Sequence, residues 1–202
     1  MVGKSLLIIS LAWLLQASDK PKVILFFGDS LTAGYGLSTT QAFPSLIEKR
    51  LNSNGKPVKV INAGLSGETT AGGLARIDWV LRQPIDVFVL ELGANDGLRG
   101  LPVDQTQKNL DAIVTKVKAK FPNVKIVIAG MMVPPNMGPD YSTKFQRIFP
   151  AIAKKHEATL IPFLLEDVAG DVELNLSDGI HPNVEGHKVV AKNVFRIIEP
   201  LI

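Results

Sequence analysis

The run Ile24-Leu25-Phe26-Phe27-Gly28-Asp29-Ser30-Leu31-Thr32-Ala33-Gly34-Tyr35-Gly36 decides how the rest of the chain is read. Its first four residues are apolar without interruption, as in a strand buried on both faces. The run then stops at a small polar triplet and, shortly after, at two glycines, so a strand ends where Ser30 opens a turn. Ser30 can cap a helix at that point, or it can be a nucleophile carried on a strand end. The two roles fit one position.

Working outward, four further apolar runs rich in β-branched residues lie at Val58 to Ile61, Val87 to Leu92, Val124 to Ala129 and Thr159 to Ile161; with Val23 to Phe27 they predict five strands. Between and after them, helical spacing or capping residues predict helices over Ala42 to Asn52, Thr69 to Arg82, Asp104 to Lys120, Tyr141 to His156 and Val184 to Ile198. Strand and helix alternate, which predicts an α/β protein: a five-stranded parallel sheet with right-handed helical crossovers, in a three-layer α/β/α sandwich. Ligands of such sheets bind beyond the carboxyl ends of the strands. The polar segments Gly28-Asp29-Ser30, Asn62-Ala63-Gly64-Leu65-Ser66-Gly67 and Gly93-Ala94-Asn95-Asp96 all follow apolar runs, and so does the loop from Met131 to Asn136.

The chain has 202 residues, 46% of them hydrophobic and 20% charged, enough for one well-buried domain. Its 22 basic and 19 acidic residues are scattered, so no nucleic-acid footprint is expected. With no cysteine there is neither disulfide nor thiolate chemistry. Residues 1–18 differ from the rest: Lys4, the apolar run Leu6 to Leu15 and the small residues Ala17 and Ser18 follow the pattern of a secretory signal peptide. That run is short for a membrane span. Residues 19–202 are then expected to form a single soluble domain, without a stable membrane span once the signal is removed.

A serine nucleophile needs a base, and the base needs an orienting partner. Of three histidines, His156 lies at the polar end of a predicted helix and His187 inside the last one, so both are read as surface residues. His181 lies in Asp178-Gly179-Ile180-His181-Pro182-Asn183, where a three-residue step can bring carboxylate and imidazole to one side of a turn. The plainer alternative is that Asp178 only caps that turn. Oxyanion donors can come from the Ser30 and Gly67 amides and from the Asn95 side chain, although Gly67 and Asn95 also suit ordinary turns. The nucleophile elbow G-x-S-x-G, a dinucleotide fingerprint and a P-loop are all absent.

Taken together, Gly28-Asp29-Ser30-Leu31, Asn62 to Thr69, Gly93-Ala94-Asn95-Asp96 and Asp178 to Asn183 stand in an order that resembles the four blocks of the SGNH, or GDSL, hydrolase superfamily. Gly73-Leu74-Ala75-Arg76, Glu91-Leu92-Gly93 and Asn95 to Gly100 are most similar to its bacterial thioesterase, lysophospholipase and arylesterase branch. The resemblance covers roughly residues 22–200. It implies a flavodoxin-like fold with strand order 2-1-3-4-5, Ser30 as nucleophile, His181 as base, Asp178 as its orienting acid, and Ser30, Gly67 and Asn95 as oxyanion donors, with Asp29 fixing the turn. It further implies a periplasmic or secreted bacterial esterase, monomeric, that cleaves short- to medium-chain acyl esters, and also thioesters and lysophospholipids, with no metal or organic cofactor. A carbohydrate O-deacetylase or a non-enzymatic acyl- or glycan-binding domain of the same superfamily are the alternatives. Leu98 and Leu101, with Met131, Met132 and Pro134 of the apolar loop, are expected to line the acyl groove.

Overall fold

The computed structural model describes residues 20–202, so the expected signal peptide at 1–18 lies outside the described residues. Strands β1 (Lys22–Gly28), β2 (Val58–Gly64), β3 (Val87–Glu91), β4 (Lys125–Ala129) and β5 (Thr159–Ile161) form one sheet in the order β2-β1-β3-β4-β5. Every neighbouring pair is parallel. Parallel neighbours cannot be joined by a tight turn, so the chain returns through helices. These are α2 (Phe43–Ser53), α3 (Thr70–Val80), α5 (Val103–Lys120) and α6 (Pro139–His156), with α7 (Val184–Ile198) after the last strand. Two shorter helices, α1 (Ser30–Ala33) and α4 (Ala94–Leu98), begin just beyond β1 and β3.

Helices α2 and α7 pack together on one face of the sheet, while α5 packs between α3 and α6 on the other. This explains why β1 is apolar at consecutive positions: successive side chains point to opposite faces, and both faces are covered. Phe26 meets Phe43 of α2 edge to face at 5.5 Å, whereas Phe27 lies beneath the Arg76 guanidinium of α3 at 4.2 Å. Ile24, Leu25, Phe26 and Phe27 are all buried. The amphipathic spacing expected in α5 is realised, with Leu110, Ile113, Val114 and Val117 in the core.

Two of the three histidines depart from their expected surface positions. His187 is buried: it shares the inward face of α7 with Val190 and Val194, its ring lies parallel to Phe43 at 6.1 Å, and its Nδ1 accepts the Phe43 amide at 3.2 Å. His156 is largely shielded, with Nε2 2.7 Å from Asp111 Oδ1. Among the described residues no helix is long and apolar enough to cross a membrane.

The chain leaves β1 for β2 on one side, then crosses back to β3 on the other. Loops after β1 and β3 therefore diverge and leave a crevice at the carboxyl edge. Gly28, Gly64 and Glu91 stand side by side in register there.

Candidate active site

At the end of β1 a side chain has no room. A Cβ on Gly28 would meet the Glu91 carbonyl oxygen at 2.6 Å, and also Glu91 Oε2 and Thr32 Oγ1. The missing side chain lets the chain turn directly into α1, with Asp29 as its N-cap accepting the Leu31 amide through Oδ1 at 3.0 Å. Ser30 follows as the first helical residue and is 8% exposed.

Its partner comes from a loop between β5 and α7, closed by an antiparallel bridge between Asn175 and Pro182 and by the Leu176 amide donating to the His181 carbonyl at 2.7 Å. Within that loop Asp178 Oδ1 accepts the amides of Ile180 and His181 at 2.9 and 3.0 Å. Its other oxygen lies 2.6 Å from His181 Nδ1. The far ring nitrogen, Nε2, is 2.9 Å from Ser30 Oγ. With Nδ1 protonated toward the carboxylate, Nε2 is left as an acceptor for the serine proton. Partial desolvation pushes the Asp178 carboxyl up, but the hydrogen bonds from the His181 amide and ring and from the Ile180 amide outweigh it and hold the pKa at about 2. The acid partner is therefore ionised at any working pH. Tyr35 lays its ring on His181, with centroids 4.5 Å apart.

Of the expected oxyanion donors, Asn95 is tied to the same turn and Gly67 to Arg99 at the end of α4. Asn95, in the first turn of α4, donates one Nδ2 proton to Asp29 Oδ2 at 3.1 Å, which leaves the second. Gly67 has φ +79°, a conformation that favours glycine, and its carbonyl accepts Arg99 Nη2 at 2.9 Å. Neither the Ser30 nor the Gly67 amide has an acceptor among the described residues. Behind these loops the Arg76 guanidinium holds the Ala63 carbonyl at 2.8 Å and pairs with Glu68. Buried Asp96 accepts the Thr70 amide at 2.8 Å and the Thr106 hydroxyl at 3.3 Å, joining α4 to α3 and α5.

Two buried carboxyls lie under the serine. Desolvation raises Asp29 to about 6, against the opposing pull of the Leu31 amide and Asn95. Desolvation and the neighbouring Asp29 charge push Glu91 well above the ordinary carboxyl range.

Of the residues expected to line an acyl groove, Leu98 and Met132 are about half exposed and Pro134 is exposed, while Leu101 is half-buried. Met131 is instead packed into the core at 3% exposure and offers no open surface, because beyond β4 burial alternates, with Met131 and Val133 inward and Met132 outward. The segment after β3 begins as helix α4, so Leu98 is a helical residue. Grooves of about 450 and 390 Å³ between α5 and α6 include none of the strand-end residues.

Sequence reasoning missed Glu91 and Tyr35. The signal for Glu91 was legible, since a carboxylate inside the otherwise apolar run Val87 to Leu92 is costly to bury without partners. Nothing in the sequence marks Tyr35 as the residue that covers His181.

Comparison with known proteins finds similar chains. An arylesterase of Vibrio mimicus is 41% identical over 180 residues, covering 89% of this chain and 88% of that protein. Thioesterase 1/protease 1/lysophospholipase L1 of Escherichia coli strain K12 is 37% identical over 180 residues, 89% of this chain and 84% of the relative. The crystal structure of TesA superposes with a TM-score of 0.85 at 39% identity, covering 90% of this chain and all of that one. Residues 26–189 match the model of the GDSL-like Lipase/Acylhydrolase family, and the chain belongs to that family.

Proposed function

We propose that the protein is a serine esterase that cleaves short- to medium-chain acyl esters through an acyl-enzyme. The observation that carries this reading is the continuous relay from Asp178 through His181 to Ser30, at 2.6 and 2.9 Å. In this reading His181 Nε2 takes the Ser30 proton as Oγ attacks the ester carbonyl carbon. The amides of Ser30 and Gly67 and the second Asn95 Nδ2 proton receive the charge that develops on the carbonyl oxygen. His181 then passes its proton to the leaving alkoxide, and a water activated by the same nitrogen releases the acid and restores Ser30. Thioesters and lysophospholipids fit the same steps, since only the leaving group differs. Leu98 and Met132, both exposed, are the apolar side chains assigned here to the acyl chain, together with Leu101 and Pro134.

The test is a panel of nitrophenyl esters, acyl-CoAs and acetylated sugars run with wild type and Ser30→Ala. Turnover of the esters that vanishes in Ser30→Ala is expected. Activity that survives the substitution sinks the mechanism, and preference for acetylated sugars replaces the substrate class. Asn95→Ala is expected to lower kcat by ~10²-fold with KM little changed, as for the loss of one oxyanion donor.

The reading extends to the whole chain: residues 19–202 act as one monomeric domain, exported after removal of a signal peptide at 1–18. Mass spectrometry of a periplasmic fraction is expected to find a chain beginning near Ser18 or Asp19. A full-length chain confined to the cytoplasm would overturn export.

A further inference from the structure

The first turn of α1 presents a small accounting problem. A helix start leaves its leading amides without intrahelical partners, and a buried one must satisfy them some other way. Here the cap oxygen of Asp29 takes only Leu31. Glu91 Oε2, reaching across from the neighbouring strand, accepts the Asp29 amide at 3.2 Å, the Thr32 amide at 3.2 Å and the Thr32 hydroxyl at 2.6 Å. Of the amides from Asp29 to Thr32, only that of Ser30 is left unclaimed among the described residues. The register enforces this, because Glu91 pairs with Gly28 and a side chain on Gly28 would occupy the space its carboxyl uses.

We propose that Glu91 is a positioning residue for acyl transfer: by taking the Asp29 and Thr32 donors on one oxygen it holds the nucleophile turn in the conformation that leaves the Ser30 amide for the oxyanion. Glu91 touches no reacting atom and acts through the turn. Its second oxygen, Oε1, is buried with no partner among the described residues, so the task needs one acceptor oxygen and makes no use of the other. Burial and the nearby Asp29 favour the protonated acid. An amide oxygen can therefore take the same three donors, its NH2 group left unpartnered as Oε1 is, while an apolar side chain of the same length cannot: it would leave three donors unsatisfied beneath the serine. This inference rests on the serine-esterase reading above.

The experiment compares Glu91→Gln and Glu91→Met on a nitrophenyl ester, with active sites counted by stoichiometric phosphonylation so that kcat is expressed per competent serine. Glu91→Gln is expected to stay within about threefold of wild type. Glu91→Met is expected to lose ~10- to 10²-fold in kcat with KM nearly unchanged, the pattern of a lost transition-state interaction. Wild-type kcat per site in Glu91→Met, or an equal loss in both variants, overturns the proposal. Should Glu91→Met not fold, Thr32→Val removes one of the three donors; a kcat loss of about 3- to 10-fold at constant KM supports the inference, and wild-type kcat refutes it. Ser30→Ala separates the two levels: residual turnover there removes the parent reading, whereas a dead Ser30→Ala beside an unaffected Glu91→Met removes this inference alone.

Discussion

Asp29 keeps its proton to about pH 6, mainly because burial disfavours its charge, while the same cause lowers His187 to about 4 with help from the nearby His181. The groups facing Asp29 are Glu91, Glu68, His181 and Asn95. Between pH 4 and 6 the folded protein holds a proton on Asp29 that the unfolded chain releases near 3.8, so this group's contribution to stability falls as pH rises. His187 acts oppositely. The unfolded chain charges its imidazole below about 6.5 and the folded protein does not, so stability is lost as pH falls from 6.5 toward 4. Each slope approaches about 1.4 kcal/mol per pH unit and the two oppose each other, while Glu91, held well above the ordinary carboxyl range, acts with the sign of Asp29 and is common to all variants. Urea unfolding from pH 4 to 7 is expected to show Asp29→Asn gaining stability with pH more steeply than wild type, and His187→Gln losing stability as pH rises to 6. Parallel profiles for all three proteins would contradict both assignments. At this scale the sequence was most legible in turns, where Ser30, Asp178 and His181 come within hydrogen-bond distance of one another. It was least legible where one polar side chain is buried by the way two helices meet. Even so, His187 stands three and seven residues before Val190 and Val194, and that spacing marks the inward face of α7.

The five strands and five long helices were readable because each carries several buried apolar residues at its own period. Helices α1 and α4 were not, since one turn is too short to express a 3.6-residue repeat and such turns form only when the surroundings satisfy their ends. The edge strand β2 likewise runs three residues beyond the expected Ile61, because Asn62, Ala63 and Gly64 still pair with Phe26, Phe27 and Gly28. That extension brings β2 against the nucleophile turn: a Cβ on Gly64 would lie 2.7 Å from Ala33 Cα and 2.8 Å from the Asp29 carbonyl oxygen. Both contacts are backbone and cannot swing aside. Gly64→Ala is therefore expected to cost ~1–3 kcal/mol by overpacking and to lower kcat along with stability, because the displaced element carries Ser30. Denaturant melts paired with ester turnover check it, and a variant matching wild type in both would show that β2 can retreat without moving the turn.

Seen whole, the sheet explains why residues as distant in sequence as Ser30, Asn95 and His181 share one edge: parallel strands deliver all their carboxyl ends to the same side, and the reversal of order at β1 opens that side. The opposite edge is fastened by the chain's last residues. Lys22 Nζ at the start of β1 donates to the Ile202 carbonyl at 2.7 Å, Lys125 Nζ at the start of β4 to that of Leu201 at 2.6 Å, and Lys56 Nζ to that of Glu199 at 2.7 Å. Leu201 and Ile202 also pack on the core. Residues 1–18, proposed above as a signal peptide, are removed on export. The two ends should consequently respond differently to trimming. A chain beginning at Asp19 is expected to match the full-length protein in Tm and kcat. Deleting residues 199–202 removes the acceptors of three lysine anchors, two of them at strand starts, and two apolar side chains, and is expected to cost ~1–3 kcal/mol while leaving KM unchanged, because the loss falls on the edge away from Ser30. Equal melting temperatures for the two truncations would mean that these contacts add nothing to the sheet; a raised KM in the C-terminal deletion would mean that the two edges are coupled through it.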